Sequence, residues 1–310
     1  MKYNFLIIKK NSKDVFFKNI ENHYIMSYYK VDTRNLIFRI LTKIKSPFIN
    51  LLFSSNWKKI IKENKANAII MFDNGFSEMV PKYIKNKNKE IRTILWFWNP
   101  INELSKKYLY CKDLDEIWSF DLEEVKKFNM KYNTQFFTKK IKKHKKKICN
   151  EILYLGNAKN RKDEILSLKN KVEKLGLQTK FIIIEDKKDY MSYDKYLELL
   201  SESNCILDYN EKGQSGLTLR PMEALFLEKK LITNNKDIKS YDFFNPSNIF
   251  ILGENNIEDI KEFINKPYEK VEQKIIDYYD FEQWLSRFEV QDKWVLKKEL
   301  FMYLYQILLI

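Results

Sequence analysis

The chain has 310 residues, 45% hydrophobic and 32% charged, with only 6 Gly and 6 Pro, a balance that excludes collagen-like, low-complexity and disulfide-scaffold classes and suits two domains of ordinary size. Its three cysteines (Cys111, Cys149, Cys205) are scattered and it has two histidines, so neither a disulfide framework nor a His/Cys zinc site is expected, and a reducing cytoplasm is the simplest location. The net charge of +14 is lopsided: residues 1–150 carry 32 Lys and Arg against 14 Asp and Glu, a net +18, and residues 151–310 carry 24 against 28, a net −4.

In chain order, residues 1–10 hold a short apolar run between lysines. It is too short for a signal-peptide core and reads as a first strand over 3–8. Further strands are predicted at 68–72, 93–98, 116–119 and 133–137, separated by mostly helical stretches; the segment 36–52 is ambiguous. Asp121, followed by Glu123 and Glu124 and then by lysines, predicts a helix over 122–129. The run "TKKIKKHKKKICN" at 138–150 has seven lysines and no acid and reads as a linker. It is either a solvated connector or a patch for anionic membrane.

The pattern restarts at 151. A strand over 152–155, a close turn at Gly156, an amphipathic helix over 161–175 with Ile165, Leu168, Val172 and Leu175 on one face, and Gly176 as its C′ residue lead to a strand over 181–184. A helix over 193–201 and a strand over 205–208 follow. Alternating strands and helices of this kind predict an α/β fold with parallel sheets. No window holds the 18 or so apolar residues of a membrane span. The apolar last segment, 294–310, suits a buried helix better than an interfacial one.

The passage "YNEKGQSGLTLRPMEALFLEKKLITNN", after Asp208, concentrates chemistry. Gly213, Ser215, Gly216 and Thr218 form a small-residue loop that runs into a helix starting near 219–221, with Pro221 in its first turn. Such a loop presents backbone N–H groups and a positive helix end to an anion, for which a diphosphate is the natural occupant. Arg220 adds a planar donor, and Glu223 lies one turn on, where a carboxylate can accept two ribose hydroxyls. Taken singly, Ser215 and Thr218 can equally cap the helix, and Arg220 and Glu223 can equally form an ion pair.

With "LYLGNAKNRKDEI" before it and "SYDFFNPSNIFIL" after it, this passage resembles the nucleotide-sugar glycosyltransferases of the GT-B fold, specifically small enzymes of bacterial lipopolysaccharide and capsular polysaccharide clusters. The likeness covers residues 151–255; the first half matches by architecture only. It implies two Rossmann-like domains facing across a cleft: residues 1–148 bind acceptor, 149–280 bind donor, and 281–310 form C-terminal helices that return to the first domain. It implies a nucleotide-sugar donor, with a UDP-sugar as the fold's default, no cofactor and no metal. The acceptor would be a surface glycan or lipid-linked oligosaccharide, and the enzyme would sit in the cytoplasm or peripherally on the inner face of the membrane. By position, Gly213, Ser215, Gly216 and Thr218 match the phosphate loop, Glu223 the ribose acid, and Arg161 or Lys162 a phosphate-binding cation. Ser215 stands where retaining relatives carry a second glutamate, which favours inversion.

Inversion needs a base in the first domain. Asp73, at a strand end in "IIMFDNGFSE" beside the Asn74–Gly75 turn, is the candidate; turn capping is its alternative role, and His23 and Asp121 are weaker candidates. In "TILWFWNPINE" alternation puts Trp96 and Trp98 on one face and Phe97 on the other. Trp98 and Asn99 can line an acceptor site, or Trp98 can pack in the core. A nucleotide-sugar epimerase shares such a fold, and a nucleic-acid-binding protein would use the basic half, although no such motif occurs and no nucleic-acid partner is expected.

Overall fold

Runs such as "FLIIK", "AIIMF" and "RTILWF" bury almost every side chain, the mark of strands covered on both faces, and parallel strands joined by helical crossovers give that cover. The computed structural model describes residues 3–10, 15–18, 20, 23–30, 54–141, 143, 146–186, 189–211 and 216–289. The chain divides into two compact units, 1–134 and 135–310. Predictions for 36–52, for Gly213 and Ser215 and for 294–310 lie outside the described residues.

In the first unit β1 (Phe5–Lys9), β2 (Tyr24–Ser27), β3 (Ala68–Phe72), β4 (Arg92–Phe97), β5 (Glu116–Ser119) and β6 (Lys131–Tyr132) form a sheet in the order β2-β1-β3-β4-β5-β6. Every pair in it is parallel. Helices α1 (Val15–Lys18), α2 (Trp57–Lys62), α3 (Met79–Lys87) and α4 (Leu122–Phe128) lie between strands. Leu6, Ile8, Ile69, Met71, Leu95 and Phe97 pack on one face with Trp57, Val80 and Ile84. Trp96 and Trp98 share the other face, their rings 5.3 Å apart, as alternation requires. The first turn of α4 is fixed by Asp121, whose carboxylate accepts the N–H groups of Glu123 and Glu124.

The strand expected over 133–137 does not form. Pairing stops after Tyr132, although residues 133–138 are all buried. Phe136 stacks at 4.2 Å on Trp284, and the Phe137 N–H donates to the Tyr279 carbonyl. Aromatic packing thus carries this stretch into the second unit. Of the lysines read as a linker, Lys139 pairs with Asp277 at 2.8 Å, Lys146 with Glu202 at 3.2 Å, and Lys143 with Glu228.

The second unit repeats the winding. Strands β7 (Asn150–Asn157), β8 (Thr179–Ile184), β9 (Ser203–Asp208), β10 (Lys230–Thr233) and β11 (Ile249–Ile251) lie parallel in the order β11-β10-β9-β7-β8. Between them run α5 (Lys162–Lys174), α6 (Tyr193–Ser201) and α7 (Leu219–Leu227); α8 (Ile260–Asn265), α9 (Gln273–Tyr278) and α10 (Phe281–Ser286) follow. Gly176 ends α5's turn at φ +80, a conformation that favours glycine. Gly156 is not in a turn: it lies within β7, opposite Ile183.

Counted within each unit, both sheets place the second strand outside the first and the third, fourth and later strands on the other side. Such sheets have a crevice between their first and third strands, beyond the carboxyl ends, where the connections part to opposite sides. In the first unit the crevice is walled by the exits of β1 and β3, and in the second by those of β7 and β9. No helix among the described residues is long and apolar enough to cross a membrane.

Candidate functional site

The second unit's crevice contains an ionic cluster built from three chain segments. Asp208, the last residue of β9, is 1% exposed. Its Oδ1 accepts the Thr218 hydroxyl at 2.9 Å and lies 3.5 Å from Nη1 of Arg220. In the amide orientation that satisfies both groups, Asn210 also donates to this carboxylate. Thr218 caps α7 by accepting the Arg220 N–H, so one residue both starts the helix and joins it to β9. The Arg220 guanidinium donates to the Leu155 carbonyl and lies 5.9 Å over the Tyr154 ring. Burial pushes the Asp208 carboxyl above its ordinary range, opposed by Arg220, Thr218 and Arg161. For Arg220, burial disfavours the charge, but Asp208, Tyr196 and Glu223 outweigh it and hold the group above its ordinary value.

The glycine at 156 has a spatial purpose. A Cβ there would lie 2.8 Å from Arg220 Nη2 and 3.1 Å from the Tyr154 hydroxyl, so the missing side chain is the seat of the guanidinium. Gly156→Ala is expected to lower the stability of the second unit by about 1–3 kcal/mol, the usual cost of overpacking. In an Arg220→Ala background, where the 2.8 Å contact is gone and the Tyr154 contact at 3.1 Å remains, the same change is expected to cost less than in the native background, by about 1 kcal/mol. Urea denaturation of the four proteins checks this; equal costs in both backgrounds would refute the seat.

Glu223 stands apart from the open end of this cluster. Its carboxylate is 2% exposed, with Oε1 accepting the Tyr193 hydroxyl at 2.8 Å and Oε2 the Tyr196 hydroxyl at 2.6 Å. Burial raises its pKa against the pull of those hydrogen bonds and of Arg220. Each oxygen of this acid is thus already engaged by a tyrosine hydroxyl of α6. Arg161 is also engaged: its guanidinium donates to the carbonyls of Asn157, Ala158 and Tyr209 and so staples the exits of β7 and β9 across the crevice. Lys162 is half exposed and pairs with Glu185 after β8. Gly216 is buried beside the helix start.

In the first unit Asp73 follows β3 at the crevice. Its Oδ1 accepts the Trp98 N–H at 2.8 Å and its Oδ2 the Asn99 amide at 3.1 Å, so the acid ties the exits of β3 and β4. Burial raises the Asp73 pKa, opposed by hydrogen bonds from Asn99 and from the backbones of Trp98, Asn74 and Asn99. Asn74 and Asn99 are exposed beside it. Gly75, at φ +90, admits Lys10 and Tyr28, which a Cβ would meet at 3.1 and 3.2 Å. Trp98 is half-buried and stacks at 5.5 Å on Phe72, with Phe16 and Phe17 against its edge. Packing and partial exposure therefore coexist in this side chain.

Further along this edge, Glu124 accepts the Ile101 N–H and the Ser119 hydroxyl at 2.8 Å, and burial raises its pKa too. Two carboxylates thus hold the chain just after β4, Asp73 at Trp98 and Asn99 and Glu124 at Ile101. Asp121 is buried in its capping role, and His23 begins the approach to β2.

Sequence reading missed Asp208, Tyr193, Tyr196 and Glu124. Asp208 had a usable signal, an acid closing a buried strand as Asp73 does. The tyrosines had none, because their partner lies 27 to 30 residues away. A scan against family models finds no match to this chain, and a search of the curated proteins finds none either.

Proposed function

We propose that the protein is a metal-independent glycosyltransferase that moves a sugar from a nucleotide-sugar donor to a surface-glycan or lipid-linked oligosaccharide acceptor, with inversion at the anomeric carbon. The donor half is assigned to the second unit and the acceptor half to the first.

The observation that carries this reading is the Asp208–Arg220–Thr218 cluster, which lies at the crevice of a parallel sheet and at the start of α7. A guanidinium held by a buried carboxylate keeps its charge and its aim, and the first N–H groups of a helix add to it. Diphosphate is the anion that suits both. In the transfer step the acceptor oxygen forms a bond to the anomeric carbon as the bond from that carbon to the diphosphate oxygen breaks. The hydroxyl proton passes to the Asp73 carboxylate, and the negative charge released on the diphosphate is met at Arg220 and the α7 start.

Thermal unfolding with UDP, GDP, CMP and dTDP, each in EDTA, tests the donor half. One nucleotide is expected to stabilise the chain by about 2.7 kcal/mol at a hundred times its Kd. Arg220→Ala is expected to lose that shift, and Glu223→Gln to keep part of it. No shift with any nucleotide would overturn the assignment and favour a nucleic-acid partner for the basic half.

A further inference from the structure

We propose that β8 is an interaction edge at which a second copy of this chain extends the sheet of the second unit, the two β8 strands running antiparallel about a twofold axis. An edge strand leaves a row of backbone N–H and C=O groups unpaired, and proteins keep such edges short, charged or covered. Among the described residues the two sheets have four edge strands, β2, β6, β8 and β11. β2 has four residues, β6 two and β11 three. β8 has six, and it pairs along its whole length with β7 on one side, from Thr179 opposite Ile152 to Ile184 opposite Asn157.

The side chains of β8 are also those of an interior strand. After Thr179 and Lys180 come Phe181, Ile182, Ile183 and Ile184, and all four are half-buried. Phe181 and Ile183 lean on the core of the unit, the Phe181 ring 5.7 Å from that of Tyr154. Alternation puts Ile182 and Ile184 on the opposite face. Both faces of the strand are thus partly open to solvent, and an apolar, β-branched run in that position gains by pairing with another strand.

The residues at its ends select the occupant. A twofold axis perpendicular to the sheet keeps each face continuous, so opposed residues share a face and the axis passes through a residue, Ile182 or Ile183. About Ile182, that residue opposes itself and Phe181 opposes Ile183. About Ile183, Ile182 opposes Ile184 and Lys180 opposes Asp186. In the first register Lys180 and Asp186 are diagonal neighbours on one face, still within reach of each other. Both registers therefore set isoleucine against isoleucine and bring Lys180 of one copy to Asp186 of the other, twice by symmetry.

Lys180 and Asp186 are exposed. Other charges beside the strand are matched within the chain: Lys162 pairs with Glu185, Lys169 lies 3.6 Å from Glu173, and Glu151 accepts the Gln178 N–H. Asp189 accepts the N–H groups of Glu185 and Asp186, which fixes the turn that carries Asp186. One sequence, used twice, satisfies the apolar centre and both charged ends.

Sedimentation equilibrium of the full chain from about 1 to about 100 μM tests this, with passage from monomer to dimer as the expected result. Ile182→Lys places a charge beside the twofold axis and is expected to leave a monomer throughout. Lys180→Asp sets acid near acid in both symmetric contacts and is expected to weaken dimerisation about tenfold, and Lys180→Asp/Asp186→Lys is expected to restore it. The charge exchange alters exposed side chains only, so it stays decisive even where Ile182→Lys disturbs the fold; an unchanged urea transition verifies that each variant is folded. Amide exchange in β8 of the native chain is expected to slow as concentration rises, while that in β11 stays the same. A monomer at every concentration, or a dimer that ignores Ile182→Lys and the charge exchange, would overturn the proposal. It does not rest on the glycosyltransferase reading, which nucleotide stabilisation of the same variants tests separately.

Discussion

Asp73→Asn is expected to lower the transfer rate by about 10²–10⁴-fold, the range for losing a general base, while leaving donor-dependent stabilisation intact. Asparagine keeps the shape and can still accept the Trp98 N–H, so the tie between β3 and β4 is largely retained. The pH profile supplies the second readout. Burial raises the Asp73 pKa despite the hydrogen bonds from the Asn99 side chain and the backbones of Trp98, Asn74 and Asn99, so the acid limb of the wild-type rate should lie above the ordinary carboxylate range, and Asp73→Asn should remove it.

The stability linkage of Asp73 runs in the opposite sense. Between the unfolded value and the raised folded value the native state holds more protons than the unfolded one, so stability falls as pH rises through that window. The neutral variant escapes this fall, and relative to wild type it should gain stability with rising pH. A turn cap behaves otherwise: Asp73→Asn would then lose stability and leave the rate unchanged. Rate measured across pH, with urea denaturation at the same pH values, separates the two roles.

The strands were legible where burial and pairing agree. The fully buried run at 68–72 and the partly buried one at 116–119 stand where alternation and apolarity placed them, and Thr218 starts α7 as a small hydroxyl residue before a proline should. Apolar content misled at 133–137, because a buried aromatic run reads the same whether a neighbouring strand or a distant tryptophan covers it; here Trp284 does. Gly156 misled in another way. Sequence reports that a glycine is present but not whether the backbone bends or a side chain 64 positions on needs the space. Glu223 stood on the expected helix, yet its accessibility was decided by two tyrosines of α6. Spacing along one helix carries no information about what packs over it.

Arg220→Ala should be the most destabilising change in the second unit's crevice. Its guanidinium side chain is 25% exposed and its partner Asp208 1%, so removing the cation leaves a carboxylate in low dielectric with only the Thr218 hydroxyl and Asn210 as donors. Losing one partner of a buried pair costs about 3–5 kcal/mol, and the partial exposure of Arg220 places the expected value near the lower end, about 3 kcal/mol. For a unit of this size that corresponds to a fall in Tm of about 6–12 °C.

The double variant Arg220→Ala/Asp208→Asn separates pairing from packing. With both charges gone, no uncompensated carboxylate remains, and the second substitution should restore about 1–2 kcal/mol. Nucleotide binding should not return with it, because the double variant has recovered its interior balance without recovering a cation for the diphosphate. If stability and nucleotide binding rose together in the double variant, the role of Arg220 would be to hold the exits of β7 and β9 in place, and the anion would be met by the backbone alone.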